Sequence, residues 1–312
     1  MKNVVVVVKQ TIQTMRSKEM NNVVSFVQPN MNNDIFKIKG SPVDFSMTEQ
    51  NLPYFWDKKG IYRVNDEGDI IQGLGIVGST YPLTSHVAFF SAQHEMLQRT
   101  FPPAHLENVS TKYRISRNGA WALQNITFPN VTHLIDNGKH RTKLSLREAS
   151  WHSVDGSASN NACFGTMDFF CTNQDMNGEY SVIRKKNTKN FNMKEFIDEI
   201  EKSVEDFYLT GRKYQAWANR DISLEDAKGV IESLPVADRS REKLLNIYQQ
   251  EATQRGDTVW ALYSAFTNYS SHTNNGFAVR QTKHDHEAQT MLNREFEVAK
   301  WVATEEFVRL AA

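Results

Sequence analysis

The sequence predicts an α+β fold: an antiparallel β-hairpin meander packed against a C-terminal helical portion. Three observations carry this expectation. Asn118-Gly119, Asn137-Gly138 and Asn177-Gly178 each separate β-branched or alternating segments, and Asn-Gly tolerates the positive φ that tight primed hairpin turns require. Near Asn192 the hydrophobic period changes from two to 3.6. Strand signals and helix signals are segregated along the chain, where an α/β protein would alternate them.

From the N-terminus, Val4–Val8 reads as a strand, and Ser17–Asp34, rich in Asn, Ser and Met without caps or a sustained period, as an extended arm. Ile61-Tyr62-Arg63-Val64 and the run from Ile70 to Val77 flank a turn containing Gly68 and read as two paired strands. His86–Thr100 places Val87, Phe90, His94, Met96 and Leu97 on a helical face, and Pro102 and Pro103 end it. The Asn-Gly turns are expected to pair 113–117 with 120–128, 131–135 with 140–149, and 165–173 with 180–184. Asn192, with Glu195 three residues on, caps a helix whose face includes Phe196, Ile200, Val204 and Phe207. Ser223, Ser240 and Thr258 stand as N-caps of three more helices, and about Glu287 to Leu310 reads as one long helix with Trp301 and Phe307 inward. The organisation is then an N-terminal strand and arm over 1–60, a β-rich core over 61–191 and a helical portion over 192–312.

Composition narrows the function classes. Among 312 residues, 36 Lys+Arg balance 36 Asp+Glu, so no whole-protein field draws the chain onto nucleic acid or an anionic membrane. Hydrophobic residues at 40% and charged residues at 23% exclude disorder throughout. Val4–Val8 is too short for a signal peptide's apolar region or for the ~20 residues of a membrane span. Two cysteines, Cys163 and Cys171, supply no disulfide framework. The expectation is a cytoplasmic protein with no membrane contact.

Four motifs invite chemistry. His284 and His286 straddle Asp285, a pairing that could start a zinc site but lacks a third ligand nearby. Gly73-Leu74-Gly75-Ile76-Val77-Gly78 has the spacing of a dinucleotide fingerprint, yet it reads as strand, and the residues to Pro82 break the helix that such a loop must open. His152, Asp155 and Ser157 suggest a hydrolase loop, but the second glycine of a nucleophile elbow is missing, so a turn with Asp155 and Ser157 bonded to backbone amides is the simpler reading. No phosphate-binding loop occurs. No cofactor and no metal are expected.

Local charge is the fourth. Arg114, Arg117, Lys139, Arg141 and Lys143 lie in a segment with Lys112 and Arg147 and few acids, and Arg184, Lys185, Lys186 and Lys189 form a second run. Acids gather instead in the later helices, as at Asp198, Glu199, Glu201, Glu205 and Asp206. Hairpins that curl into one surface would offer these cations to phosphates and Tyr113, Trp121, Trp151 and Tyr180 to bases, which are the ingredients of single-strand binding. Solvated cations guarding strand edges are the competing explanation.

Gly73 to Tyr81, Trp151 to Ser157, Phe170-Cys171-Thr172-Asn173 and Trp260 to Thr267 together resemble the family catalogued as domain of unknown function 932, over most of the chain from Ile61 onward. Where that family usually has Asn-Ser-His-Asp-Gly-Ser, this chain has His152-Ser153-Val154-Asp155-Gly156-Ser157, and Asn187-Thr188 replaces a common His-Thr pair. The resemblance implies a phage or plasmid context. At fold level, hairpins followed by a helix are similar to single-strand annealing proteins of the RecT and lambda Beta kind, which form rings or filaments. The expected function is therefore single-stranded DNA binding and annealing in recombination or replication, by a homo-oligomer. The alternatives are an enzyme on a small or nucleotide substrate, built on the His152/Asp155/Ser157 loop, and a host-interaction factor.

Overall fold

The computed structural model describes residues 37–38, 41–42, 46–52, 55–65, 67–158, 160–168, 174–176, 182–185, 193–272 and 287–312. Strands β1 (Lys37–Ile38) and β2 (Ser41–Pro42) pair with each other. β3 (Ser46–Leu52), β4 (Phe55–Val64) and β5 (Ile70–Gly78) form a three-stranded antiparallel sheet in that order. The main sheet runs β10 (Gln174–Met176), β9 (Asn160–Asp168), β8 (Arg141–Ser153), β7 (Trp121–Asp136), β6 (Ser110–Ser116), and β11 (Val182–Lys185) also pairs with β9. With the helices that follow, the fold is α+β.

Central strands β7 and β8 are covered on both faces. On one face lie α1 (His86–Thr100), the short α2 (Pro103–Leu106) and α3 (Met193–Ala218). Met96, Leu97 and Phe101 pack there against Ile126, Phe128, Leu146, Phe164 and Phe207. On the other, Leu292 and Phe296 of α7 (Glu287–Trp301) cover Trp121, Leu123, Ala149, Trp151 and Cys163. Two-sided cover explains why β8 is buried at every residue from Leu144 to Ser153.

The helical portion adds α4 (Leu224–Ser233), α5 (Asp238–Arg255), α6 (Val259–His272) and α8 (Glu305–Ala311). Ser223 caps α4 reciprocally with Asp226, and the Thr258 hydroxyl accepts from the Ala261 amide at the start of α6, both as expected. Gly256, at φ 84°, ends α5. Tyr214, Trp217, Trp260, Tyr263, Phe266 and Phe307 form an aromatic core that also takes Ile135 and Leu144 from the main sheet.

Several expectations are corrected. Residues 120–128 and 131–135 are one strand, β7, interrupted by a register shift between Phe128 and Thr132 where Pro129 removes an amide donor. The third hairpin does not form as 165–173 against 180–184: Val182–Lys185 lies beside Asn160–Cys163, and β10 occupies the other half of β9. Ser240 is not a cap, because α5 starts two residues earlier at Asp238 and Ser240 accepts from the Tyr269 hydroxyl. The final helix breaks after Trp301 and restarts at Glu305. In one straight helix, six residues would rotate Phe307 about 120° away from Trp301; the break lets both enter the same core. Val4–Val8, the 17–34 arm, Asn177-Gly178, Lys186, Lys189 and His284/His286 lie outside the described residues.

Candidate functional site

Two regions hold the residues singled out above. In the first, α1 lies over a polar strip of the main sheet. Ser85 accepts from the Ala88 amide to start α1, and the helical repeat then turns His86, Phe90, Gln93 and His94 into the interior. Opposite them β8 presents Glu148, Ser150 and His152, alternating with Arg147, Ala149 and Trp151 on the other face.

The tautomers at one end of this strip follow from the geometry. A ring nitrogen of His86, Nε2, is 2.8 Å from the Gly119 carbonyl oxygen, which can only accept, so Nε2 carries the proton. Burial holds His86 neutral, lowering its pKa to about 4, so its Nδ1 accepts from Nδ1–H of His152 at 2.8 Å. His152 is itself depressed to about 2 by burial and by His86. Its remaining Nε2 is then a bare lone pair, buried and without a hydrogen-bond partner among the described residues, and the imidazole stacks on the ring of Phe89 with centroids 4.8 Å apart. Further along, His94 donates to Gln124 (2.7 Å) and Gln124 donates to Ser150 (3.2 Å). Burial raises Glu148 to about 8 despite its bonds to Ser150 and Gln124 and the charge of Arg147.

Loop 154–158 closes that end. Asp155 binds Arg117 at 3.2 Å and accepts from the Ser157 amide at 3.0 Å, the turn expected of this sequence. His152, Asp155 and Ser157 are thus engaged in separate contacts, with Ser157 exposed. The glycine series is strand β5, and Gly75 has a packing role: a Cβ there would sit 2.5 Å from Cβ of Asp155. The loop docks where only a hydrogen leaves room. Arg117 and Asn118, both at φ above 50°, make the sharp turn from β6 into β7.

The second region is the opposite face of the main sheet. Register places Arg114 beside Leu123, Leu123 beside Trp151, Trp151 beside Asn161 and Asn161 beside Arg184. Arg114 and Arg184 therefore end one cross-strand row, about 19 Å apart at roughly 4.8 Å per strand. Lys112, Arg141 and Lys143 share this face by alternation. Arg141 is 70% exposed and only loosely paired with Asp136 at 3.7 Å. Arg147, also on this face, is sealed beneath α7 by Glu295 (2.7 Å) and by Asn125.

The aromatic expectation is not met. Trp121 and Trp151 are 2% and 7% exposed because α7 covers them, and Tyr113 lies on the α1 face against Phe90. Lys139 is exposed at the β7–β8 turn near Gly256. Arg184 and Lys185 are placed by backbone register alone, in β11. Sequence reasoning missed Arg212, an exposed cation of α3 close enough to His133 to depress its pKa along with burial; helical acids nearby drew attention away from it. Acids and arginines also mix in a cleft of about 320 Å³ between α4 and α8, lined by Arg220, Arg309, Glu225, Asp226 and Glu306. Among the described residues no group of three metal-ligating side chains occurs and no helix is long and apolar enough to cross a membrane.

These features define an α+β protein with a sealed polar strip under α1 and cations distributed along one sheet face. The chain belongs to the domain of unknown function family DUF932, whose sequence profile matches residues 74–296. Neither curated proteins nor solved structures yield a match.

Proposed function

We propose that this protein binds single-stranded DNA and promotes its annealing during recombination or replication of a phage or plasmid, in the host cytoplasm. The observation that supports this is register: Lys112, Arg114, Arg141 and Lys143, from two hairpins, project from one sheet face. Lys112 lies level with Ala149 of β8, six residues along that strand from Lys143, which is about 20 Å at roughly 3.3 Å per residue, enough for several phosphates. Because α7 fills the middle of the face, the strand would run along the β6 edge and the end of the β7–β8 hairpin. Contact there is electrostatic, with base pairing supplying sequence recognition. Arg117, tied to Asp155, contributes less.

One neutral protomer offers a short track, so several copies would supply a continuous one. The likeness to RecT and lambda Beta proteins is of arrangement, strands followed by a long helix, and lends support at that level only. Binding of a fluorescent oligonucleotide across a salt series tests the reading. With four phosphate contacts, log affinity should fall with log salt at a slope of about −3, and R141E/K143E should weaken binding at least tenfold. Absent binding, or affinity that ignores salt, removes it.

A further inference from the structure

Helices α4 and α8 face each other across the cleft of about 320 Å³, a size at the lower end of small-molecule sites. Both walls are fixed in place: Ser223 caps α4, Val230 and Ile231 anchor it, and Phe307 fastens α8 into the aromatic core. The cleft is therefore preformed. Gly229 lines it from the interior of α4, where glycine is among the least favourable residues. Nothing in the described chain requires a glycine there, since its backbone is helical and an added Cβ would meet no atom within 4 Å. What the missing side chain provides is room above the helix, beside Glu225 one turn earlier.

The charges that line the cleft are not matched with one another. Among the described residues Arg220, Arg309, Glu225 and Glu306 make no ion pair, although Glu306 and Arg309 stand three apart on one helix, where such pairs form readily. Asp226 is engaged by the Ser223 cap, which leaves two guanidiniums and two carboxylates for a ligand. Three acids against two arginines disfavour a polyanion such as a nucleotide, and a simple anion or cation would answer only half of the groups. A molecule carrying both charges answers all four, and Val230 and Leu310 offer its body an apolar wall. We propose that the cleft binds a small zwitterion with an apolar body, as a free α-amino acid presents, with its carboxylate on Arg220 and Arg309 and its ammonium on Glu225 and Glu306. A guanidinium takes a carboxylate through two parallel hydrogen bonds. The two charged groups of an α-amino acid share one carbon, just as Glu306 and Arg309 share one turn of α8.

This site belongs to the helical portion and does not depend on nucleic-acid binding. Calorimetric titration of the full chain with L-leucine as the probe should show saturable binding with a dissociation constant below about 1 mM. Isocaproate and isoamylamine, which each lack one of its two charges, should bind at least tenfold more weakly. Leucine is nearly as good a helix former as alanine, so G229L should melt no lower than the parent, yet fill the cleft and weaken L-leucine binding at least tenfold. E306Q and R309Q remove a charge without filling the space, and each should weaken binding at least fivefold with an unchanged melting curve. Should G229L melt lower, the two charge variants decide alone. Absence of L-leucine binding, equal binding of the two analogues, or binding indifferent to a folded G229L or to both charge variants overturns the proposal.

Discussion

Glu148 is a buried carboxyl that holds its proton to about pH 8, against 4.5 when unperturbed. Between those values the unfolded chain releases a proton that the folded chain keeps, so stability falls as pH rises through this window. His86 and His94, depressed to about 4 by burial, act oppositely: as pH falls from 6.5 toward 4, the unfolded chain takes up protons that the folded one refuses. Because the buried histidines together outweigh the one carboxyl up to their ordinary value, stability should peak near about pH 6.5, and E148Q should flatten the alkaline limb, as urea denaturation at about pH 6.5 and 8 would show. Each unit of displacement corresponds to about 1.4 kcal/mol. Glycine offers a sharper comparison within one strand. Gly75→Ala forces Asp155 to move and should cost about 1–3 kcal/mol, whereas a Cβ at Gly73 meets nothing within 4 Å, so G73A should cost well under half as much. The sequence showed that the glycines belong to a strand. Which of them another loop would press upon was invisible, because Asp155 lies 80 residues away. Glu148 was equally hidden: beside Arg147 it reads as half of a surface pair, yet strand alternation sends the two to opposite interiors.

Helix α7 is held to the sheet by an ion pair whose partners are 1% and 2% exposed, Arg147 and Glu295. Removing one partner strands a charge in the interior. E295Q and R147M should each cost about 3–5 kcal/mol, and R147M combined with E295L should recover most of it, as thermal melts would reveal. If the single variants melt like the parent, the pair is not the clasp it looks like. At this scale local chemistry was readable: two Asn-Gly turns, the Ser223 capping box and the Thr258 cap stand where their residue types put them. The break at Thr304 was not read, because a continuous apolar period runs across it and its hydroxyl donates back to the Trp301 carbonyl instead of capping the next helix. Pairing partners were harder, because β10 and β11 share β9 and no local residue states which half each takes.

Across the whole molecule, zero net charge conceals a division of labour between sheet cations and helical acids, while the tryptophans expected beside those cations are packed under α7. Composition could suggest the first and not the second, since an indole in a strand carries no mark of which helix will cover it. Sheet and helical portion are also fastened together: Arg255, fully buried, binds Asp168 and Glu251, and the Asn137 amide donates to carbonyls of Ala218 and Arg255. Calorimetry should accordingly show one transition, and R255M should lower its temperature without splitting it. The interruption at Pro129 has a consequence of its own. Before it, the even-numbered Ile126 and Phe128 point toward α1 and α3; after it, the odd-numbered Val131 and Ile135 point inward. Those few residues act as a phase shifter in a ribbon that two cores share. With all its residues kept but no interruption, regular alternation would drive Leu134 into the interior and Ile135 into water; excising Asn130 alone absorbs the shift and leaves Val131 and Ile135 inward.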